Sequence, residues 1–352
     1  MLYCRMREVF RRWWGHFSGN LTRKELQLNL ELWLVNDGPE PVLVIYDYWL
    51  KSKAAQLRRI LRASRVRRVH ILVLTSWHQS AKKAGRIATE FASLRLPQER
   101  VVPHYLANTA EECKTLQSAL VRSEWVSHNA LLDETVFRIL PGVVPSWDAI
   151  YDARLSPFKR HELAAELDSL ACIVYQTHPG MDREHGLKIR RQLNHAHWLN
   201  RVVNGAPKRL SQPEVNEALN QCRVGLCLSA KEGAMLASIQ YLLAGLPVVT
   251  TPSLGGRDVF FDPAHSLTVK PDPAAVAAGV REMINRNVPR EEIRARAIQE
   301  MERHRARLVA YVARITGEQE SSDPLARWQR WAAFNSGRVN VGQLLEQLRH
   351  FR

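Results

Sequence analysis

The sequence predicts an α/β chain of two Rossmann-like domains facing each other across a cleft, and three observations carry that expectation. Short apolar runs suited to buried strands alternate with amphipathic segments of helix length, in two successive series. The alternation breaks at Pro141-Gly142-Val143-Val144-Pro145 and then restarts. The length, 352 residues, suits two domains of about 100–200 residues each. The expected division is a first domain over 1–145, a second over 146–320, and a helical segment over 321–352 that crosses back toward the first.

The elements follow in order. The first 35 residues read as helical: Leu2, Met6, Val9, Phe10, Trp13 and Phe17 recur at helical spacing, with Arg5, Arg7, Arg11 and Arg12 largely opposite. That stripe suits a helix docked on its own domain or one lying on anionic lipid, where Arg beside Trp and Phe is the expected composition. Pro41–Tyr46 has the pattern of a short buried strand, Lys51–Arg65 that of a basic amphipathic helix, Val69–Leu74 that of a second strand and Ala81–Leu94 that of a helix. Further strands are expected near Val101–Val102 and Trp125–Ser127. Strands spaced by such helices imply a parallel sheet covered on both faces. Beyond the break, Ala149–Tyr151, Cys172–Tyr175, Val202–Val203, Val224–Leu228 and Val248–Thr250 read as strands, with helices at Gln212–Gln221, Ala234–Ala244 and Arg290–Arg314. Ser321-Ser322-Asp323-Pro324 opens a last helical region through Phe351.

Composition narrows the class. An apolar share of 45% supports a full core and excludes global disorder. No run approaches the roughly 18 apolar residues of a membrane span. The N-terminus, with arginines scattered among aromatics, does not read as a secretory leader. Five cysteines, with no CxxC pair, suggest neither a disulfide framework nor a zinc site and point to a reducing cytosol. His195 and His197 lack partners that would complete a metal site, as do the residues around Arg303–Arg305, so no metal is expected. Lys and Arg exceed Asp and Glu by 50 to 35, a net charge of +15, which favours either nucleic acid or an anionic surface as partner.

The stretch richest in chemistry is Leu228–Val249. A buried strand ends at Leu228, Ser229–Gly233 forms a loop, and a helix begins near Ala234, stopped by Gly245 and Pro247. Ligands of open α/β sheets bind at the carboxyl ends of strands, and a helix N-terminus offers free N–H groups to phosphate. Glu232 is placed to accept hydrogen bonds from sugar hydroxyls. Arg154 and Lys159, five residues apart after another strand, can offset a diphosphate without a metal ion.

These residues resemble the retaining GT-B glycosyltransferases known as glycosyl transferases group 1, of the family 4 type. Arg154 and Lys159 match the family's G-R-L-x-x-x-K-G. Ser229, Glu232, Gly233, Gly245, Pro247, Val248 and Val249 match its P-S-x-x-E-G … G-x-P-V-V, and Thr251 with Gly255 and Gly256 its T-x-x-G-G. The resemblance covers roughly residues 125–285. It implies that Arg154 and Lys159 hold the donor diphosphate, that Glu232 bonds the donor sugar, and that Gly233, Ala234 and Met235 lie beside sugar and phosphate. Gln240 stands where the family has the second glutamate of E-x7-E, which grips the ribose. Met235 replaces a glycine. Val203, Asn204, Gly205 and Leu210 fall where the family builds its nucleobase pocket. In the first domain, Thr75–Ser80 resembles the strand-end T-x-H whose histidine reaches the donor sugar, which places His78 at the site. His128 and Asn129 also end a strand and are candidate substrate contacts.

The resemblance implies a hexosyltransferase-like enzyme that moves a sugar from a UDP- or GDP-sugar to a surface-glycan or lipid-linked acceptor with retention. No cofactor is expected beyond the nucleotide sugar, and the location is cytoplasmic, peripheral at the inner face of a membrane. Two other readings compete. Lys51–Arg68, with Trp13, Trp14, Trp77, Trp328 and Trp331 able to stack bases, suits a nucleic-acid partner. Gln240 and Met235 suit a catalytically inactive GT-B scaffold.

Overall fold

A computed structural model describes residues 32–36, 40–63, 66–175, 181–203, 206–319 and 323–334. The arginine-rich apolar stripe of residues 2–17, Asn204, Gly205, the lipid-facing option for the N-terminus and the last helical turns through Phe351 lie outside them.

The first sheet contains β1 (Leu32–Asn36), β2 (Val42–Tyr46), β3 (Val69–Leu74), β4 (Val101–Ala107) and β5 (Ser123–Trp125), in that order across the sheet. β2 to β5 run parallel, while β1 pairs antiparallel with β2. All six residues of β3 are buried, as expected for a parallel strand covered on both faces. One face packs on α1 (Asp47–Ala63), α2 (Ala81–Ala84), α3 (Ile87–Ser93) and α4 (Ala110–Ser118). The expected helix over 81–94 is thus two short ones, with a break at Gly85–Arg86.

The expectation of helix through residue 35 is corrected at Leu32–Asn36. Leu32 and Val35 are buried there, and the segment pairs with β2, so tertiary pairing at the sheet edge overrides local periodicity.

The second sheet is wholly parallel, in the order β13 (Ser266–Thr268), β12 (Val248–Thr250), β11 (Cys222–Cys227), β6 (Trp147–Asp152), β7 (Leu170–Ile173) and β8 (His197–Trp198). Val202–Val203, expected as a sheet strand, forms instead a separate two-stranded ribbon, β9, with β10 (Ala206–Pro207). The covering helices include α5 (Met181–Gln192), α6 (Gln212–Asn220), α7 (Leu236–Leu243) and α8 (Pro273–Arg286). The thiols of Cys113, Cys172, Cys222 and Cys227 are buried and free.

Among the described residues, two segments join the halves. Val126 packs in the first core and Ala130 and Phe137 in the second, so the chain crosses over Ser127–Asn129, before the Pro141–Pro145 turn. It returns along α9 (Arg290–Thr316). Ile293, Ala297 and Met301 are buried in the second core, whereas Leu308, Val309, Tyr311 and Val312 are buried against the first sheet. α10 (Pro324–Phe334) follows, and its Trp328 packs on the same core. Two arginines on α9 clamp the outward crossing. Arg294 donates to the carbonyls of Glu134, Phe137 and Leu243, and Arg305 to those of Ala130 and Leu132 and to the Glu134 carboxylate.

A buried polar chain also ties α9 to the first sheet. His70 Nε2 lies 2.9 Å from Glu40, its Nδ1 2.9 Å from His104 Nε2, and His104 Nδ1 2.8 Å from the Tyr311 hydroxyl. One proton arrangement satisfies every link. Tyr311 donates to His104, His104 to His70, and His70 to the carboxylate. Burial keeps His104 neutral, pushing its pKa down to about 3.

Burial acts likewise on His128, His161 and His304, whose values fall to about 4, 3 and 4. The unfolded chain binds these four protons near pH 6.5, and the folded chain does not. Stability is therefore expected to fall as pH drops from about 6.5 toward 4, by at most about 1.4 kcal/mol per pH unit for each histidine. Thermal unfolding followed from pH 7.5 to 4.5 checks this: the Tm should fall on the acid side, with about four protons taken up by these side chains on unfolding at pH 5.

Candidate functional site

The site assembles at the carboxyl ends of β6 and β11 in the second domain, against the strand-end loops of the first. After β6 the chain turns through Arg154, a 3-10 turn at Pro157–Lys159, and Arg160 in the left-handed region (φ 51°). Arg160 braces this turn, donating to the Leu228 carbonyl at 2.6 Å and to Thr251 Oγ1 at 2.7 Å. Lys159 is thereby turned inward. Its ammonium pairs with the Glu232 carboxylate, and both residues are only 6% exposed. Arg154 lies over the Phe158 ring at 5.2 Å, and Trp77 of the first domain meets that ring edge-on at 5.4 Å.

The loop carrying Glu232 is laced to the loop after β12. Glu232 N–H donates to the Leu254 carbonyl, Leu254 N–H to Ala230, and Gly256 N–H to Gly233. Arg257, fully buried, holds both loops from beneath. Its guanidinium donates to the Ser229 and Thr251 carbonyls, to Thr250 Oγ1 and to Asp258. Met235 precedes α7 with φ 51°, so the backbone keeps the conformation a glycine would favour, while the side chain is buried in the second core. Gln240, half-buried on α7, lies further along the same helix.

The two domains also meet at this loop, where Gly233 lies on the Ser76 backbone and Gly256 on Asn108. A Cβ on Gly233 would overlap the Ser76 carbonyl, and one on Gly256 would overlap Asn108. Next to Ser76, His78 Nδ1 lies 2.8 Å from Glu112, whose carboxylate is 1% exposed. Asn129 is wholly buried. Its amide donates to the Ala234 carbonyl at 2.7 Å, so it secures the second domain's loop from the first crossing. His128 is buried against the Tyr46 ring. Of the expected nucleobase positions, Val203 is exposed on β9 and Leu210 packs partly on the second core.

Four side chains at the site went unnoticed in the sequence. Asp152 ends β6, two residues before Arg154. Burial pushes its carboxyl up to about 7, against the pull of Lys159 and Arg209. Arg257 directly follows the Gly255-Gly256 pair, and Arg160 directly follows Lys159. The signal for Glu112 was present in Thr109-Ala110-Glu111-Glu112, the spacing of a capping box. Among the described residues, no group of three or more His, Cys, Asp and Glu is placed to hold a metal ion, and no helix is long and apolar enough to cross a membrane.

Comparison with known proteins agrees with this architecture. Residues 177–286 match the model of the family described as Glycosyl transferases group 1. No curated protein matches the chain. Among solved structures, sucrose-phosphate synthase from Thermosynechococcus elongatus superposes with a TM-score of 0.50 at 13% identity, over 82% of this chain and 80% of that one. TarM, known from S. aureus, gives 0.52 at 11% identity, over 86% of this chain and 56% of its own. The pneumococcal O-GlcNAc transferase GtfA gives 0.50 at 12%, over 87% and 56%. The chain spans little more than half of those last two proteins. With two mainly parallel sheets facing one another across such a loop, it has the GT-B fold, and residues 177–286 match the glycosyl transferases group 1 model.

Proposed function

We propose that the protein is a retaining glycosyltransferase that moves a hexosyl group from a nucleoside diphosphate sugar to an acceptor without a metal ion. One observation carries the reading: Lys159, Arg154, Glu232 and the N-terminus of α7 converge at one strand-end mouth, closed by Ser76–His78 from the other domain. Two cations and the positive end of the α7 dipole oppose the charge that builds on a departing diphosphate. The Glu232 carboxylate accepts from donor hydroxyls once the diphosphate draws Lys159 away. Ala234 and Met235 lend backbone to the same contact, and Gln240 with Val203, Asn204, Gly205 and Leu210 take the ribose and base. The leaving oxygen takes the acceptor's proton on the face it vacates, which retains configuration. Contact of Gly233 with Ser76 excludes water while the glycosyl centre is exposed.

UDP in the S. aureus TarM and pneumococcal GtfA structures makes UDP-sugars the first donors to test. In a thermal-shift and turnover panel of UDP-, GDP-, ADP- and CMP-sugars, at least one donor is expected to raise the Tm. Arg154→Ala and Glu232→Ala should each weaken that donor about 10-fold or more, the scale of one charge-assisted hydrogen bond. No stabilisation by any nucleotide would end the reading.

Asp152 gives the site a pH dependence of known sign. Its carboxyl is neutral below about pH 7 and repels a diphosphate above it. Nucleotide affinity should therefore weaken from pH 6 to 8 more in the wild type than in Asp152→Asn, as read by calorimetry. Gly256→Ala tests closure. Its Cβ cannot fit against Asn108, so turnover should drop at least ~10-fold while nucleotide still binds the second domain.

A lipid-linked or surface-glycan acceptor, with the enzyme peripheral at the cytoplasmic face of a membrane, follows from the first domain's charge. Lys51, Arg59 and Arg62 are exposed on α1, with Tyr48 at its start 52% exposed. Binding to anionic vesicles that survives in zwitterionic ones would count against this acceptor side.

A further inference from the structure

We propose that Glu112 is a positioning residue that fixes the tautomer of His78, leaving Nε2 bare to accept a hydrogen bond from a sugar hydroxyl in the cleft. The inference rests on the glycosyltransferase reading for the identity of that hydroxyl, but not for the tautomer.

Glu112 divides its two oxygens between two tasks. Oε2 accepts from the Asn108 and Thr109 N–H groups, 3.2 Å away, and completes the capping box of α4 with Thr109. A capping box needs nothing more. Oε1 nevertheless reaches across to the loop after β3, accepting from Gln79 N–H and from His78 Nδ1, each at 2.8 Å. A carboxylate can only accept, so the proton on a neutral His78 ring sits on Nδ1 and Nε2 carries a lone pair. Lys83 Nζ holds the His78 carbonyl at 3.1 Å, which steadies the backbone under the ring. The ring itself stays reachable, with 23% of the side chain exposed.

The dyad also sits where the domains meet. Ser76 and Trp77, just before His78, lie against Gly233. Asn108, which shares the Glu112 carboxylate, lies against Gly256. His78 is thus anchored to the two segments of the first domain that touch the donor loop. When the ring takes hydrogen-bond character from a sugar hydroxyl, the carboxylate behind it stabilises the positive charge the ring gains.

The experiment uses the full chain with 15N-labelled histidine. The His78 signals are assigned by their loss in His78→Asn, and turnover is measured with the UDP-sugar the donor panel selects. The wild type should show neutral His78 protonated at Nδ1. In Glu112→Gln the carboxamide oxygen stays with the two cap N–H groups and its NH2 takes the place of Oε1, facing the ring and forfeiting the Gln79 N–H bond, so the proton should move to Nε2. kcat should then fall at least ~10-fold, with UDP affinity held within two-fold and a changed pH profile. Thr109→Ala, which breaks only the cap, should lower the Tm but leave the tautomer and kcat as they were. A wild-type ring protonated at Nε2, or a Glu112→Gln enzyme with unaltered kcat, would overturn the proposal. If no nucleotide sugar is turned over by the wild type, the glycosyltransferase reading falls, and the tautomer in the two proteins still decides the role of Glu112.

Discussion

Direct backbone contact between the two domains governs the rest of the molecule. Gly233 meets the Ser76 carbonyl and Gly256 meets Asn108, with no room for a Cβ at either position. Everything that touches these contacts is built to hold a loop still. Arg257 ties the Ser229 and Thr251 carbonyls from below, Arg160 ties Leu228 and Thr251 from the side, and Asn129 reaches over from the crossing to Ala234. Loops usually tolerate variation and motion. This one is pinned because a shift of even an ångström would separate the halves.

The Lys159–Glu232 pair sets the electrostatic state of the same place. Burying two charges costs several kcal/mol per ion unless each is well partnered. Here each is the other's partner, and the nearby Asp152 sheds its charge near neutrality instead of adding a second buried anion. Under the proposed reaction, a diphosphate would replace Glu232 as the counter-ion of Lys159 and free the carboxylate for hydroxyl groups. In the structure itself the pair leaves neither buried charge unsatisfied.

How far the sequence reaches can be seen element by element. The parallel strands β3, β11 and β12 were legible because burial on both faces writes continuous apolar runs. The strand-end loop of Glu232 and the turn of Arg154 and Lys159 stood out in the sequence because their residues and spacing resemble a known motif set, and the structure pairs Lys159 with Glu232 and sets Arg154 over Phe158. β1 was not, since an edge strand is decided by its neighbour and its residues carry helical spacing too. The ribbon at Val202–Val203 looked like a core strand because two β-branched residues say nothing about which sheet they join. Nor were Asp152 and Glu112 visible as site residues. Asp152 matters because the fold buries its carboxyl, and Glu112 because the fold brings His78, 34 residues earlier, to its carboxylate; charge alone gave no reason to single them out.

α9 has a mechanical meaning. At about 1.5 Å per residue its 27 residues form a rod of roughly 40 Å, seated at one end in the second core and at the other in the first. Among the described residues only one other segment crosses the gap, Ser127–Asn129, and Arg294 and Arg305 bolt the chain that follows it to the rod. Two tethers side by side, one of them stiff, act like the pin and leaf of a door. A link of that build favours swing about one line over sliding or twisting, so a motion that parted Gly233 from Ser76 would turn about α9 and the crossing.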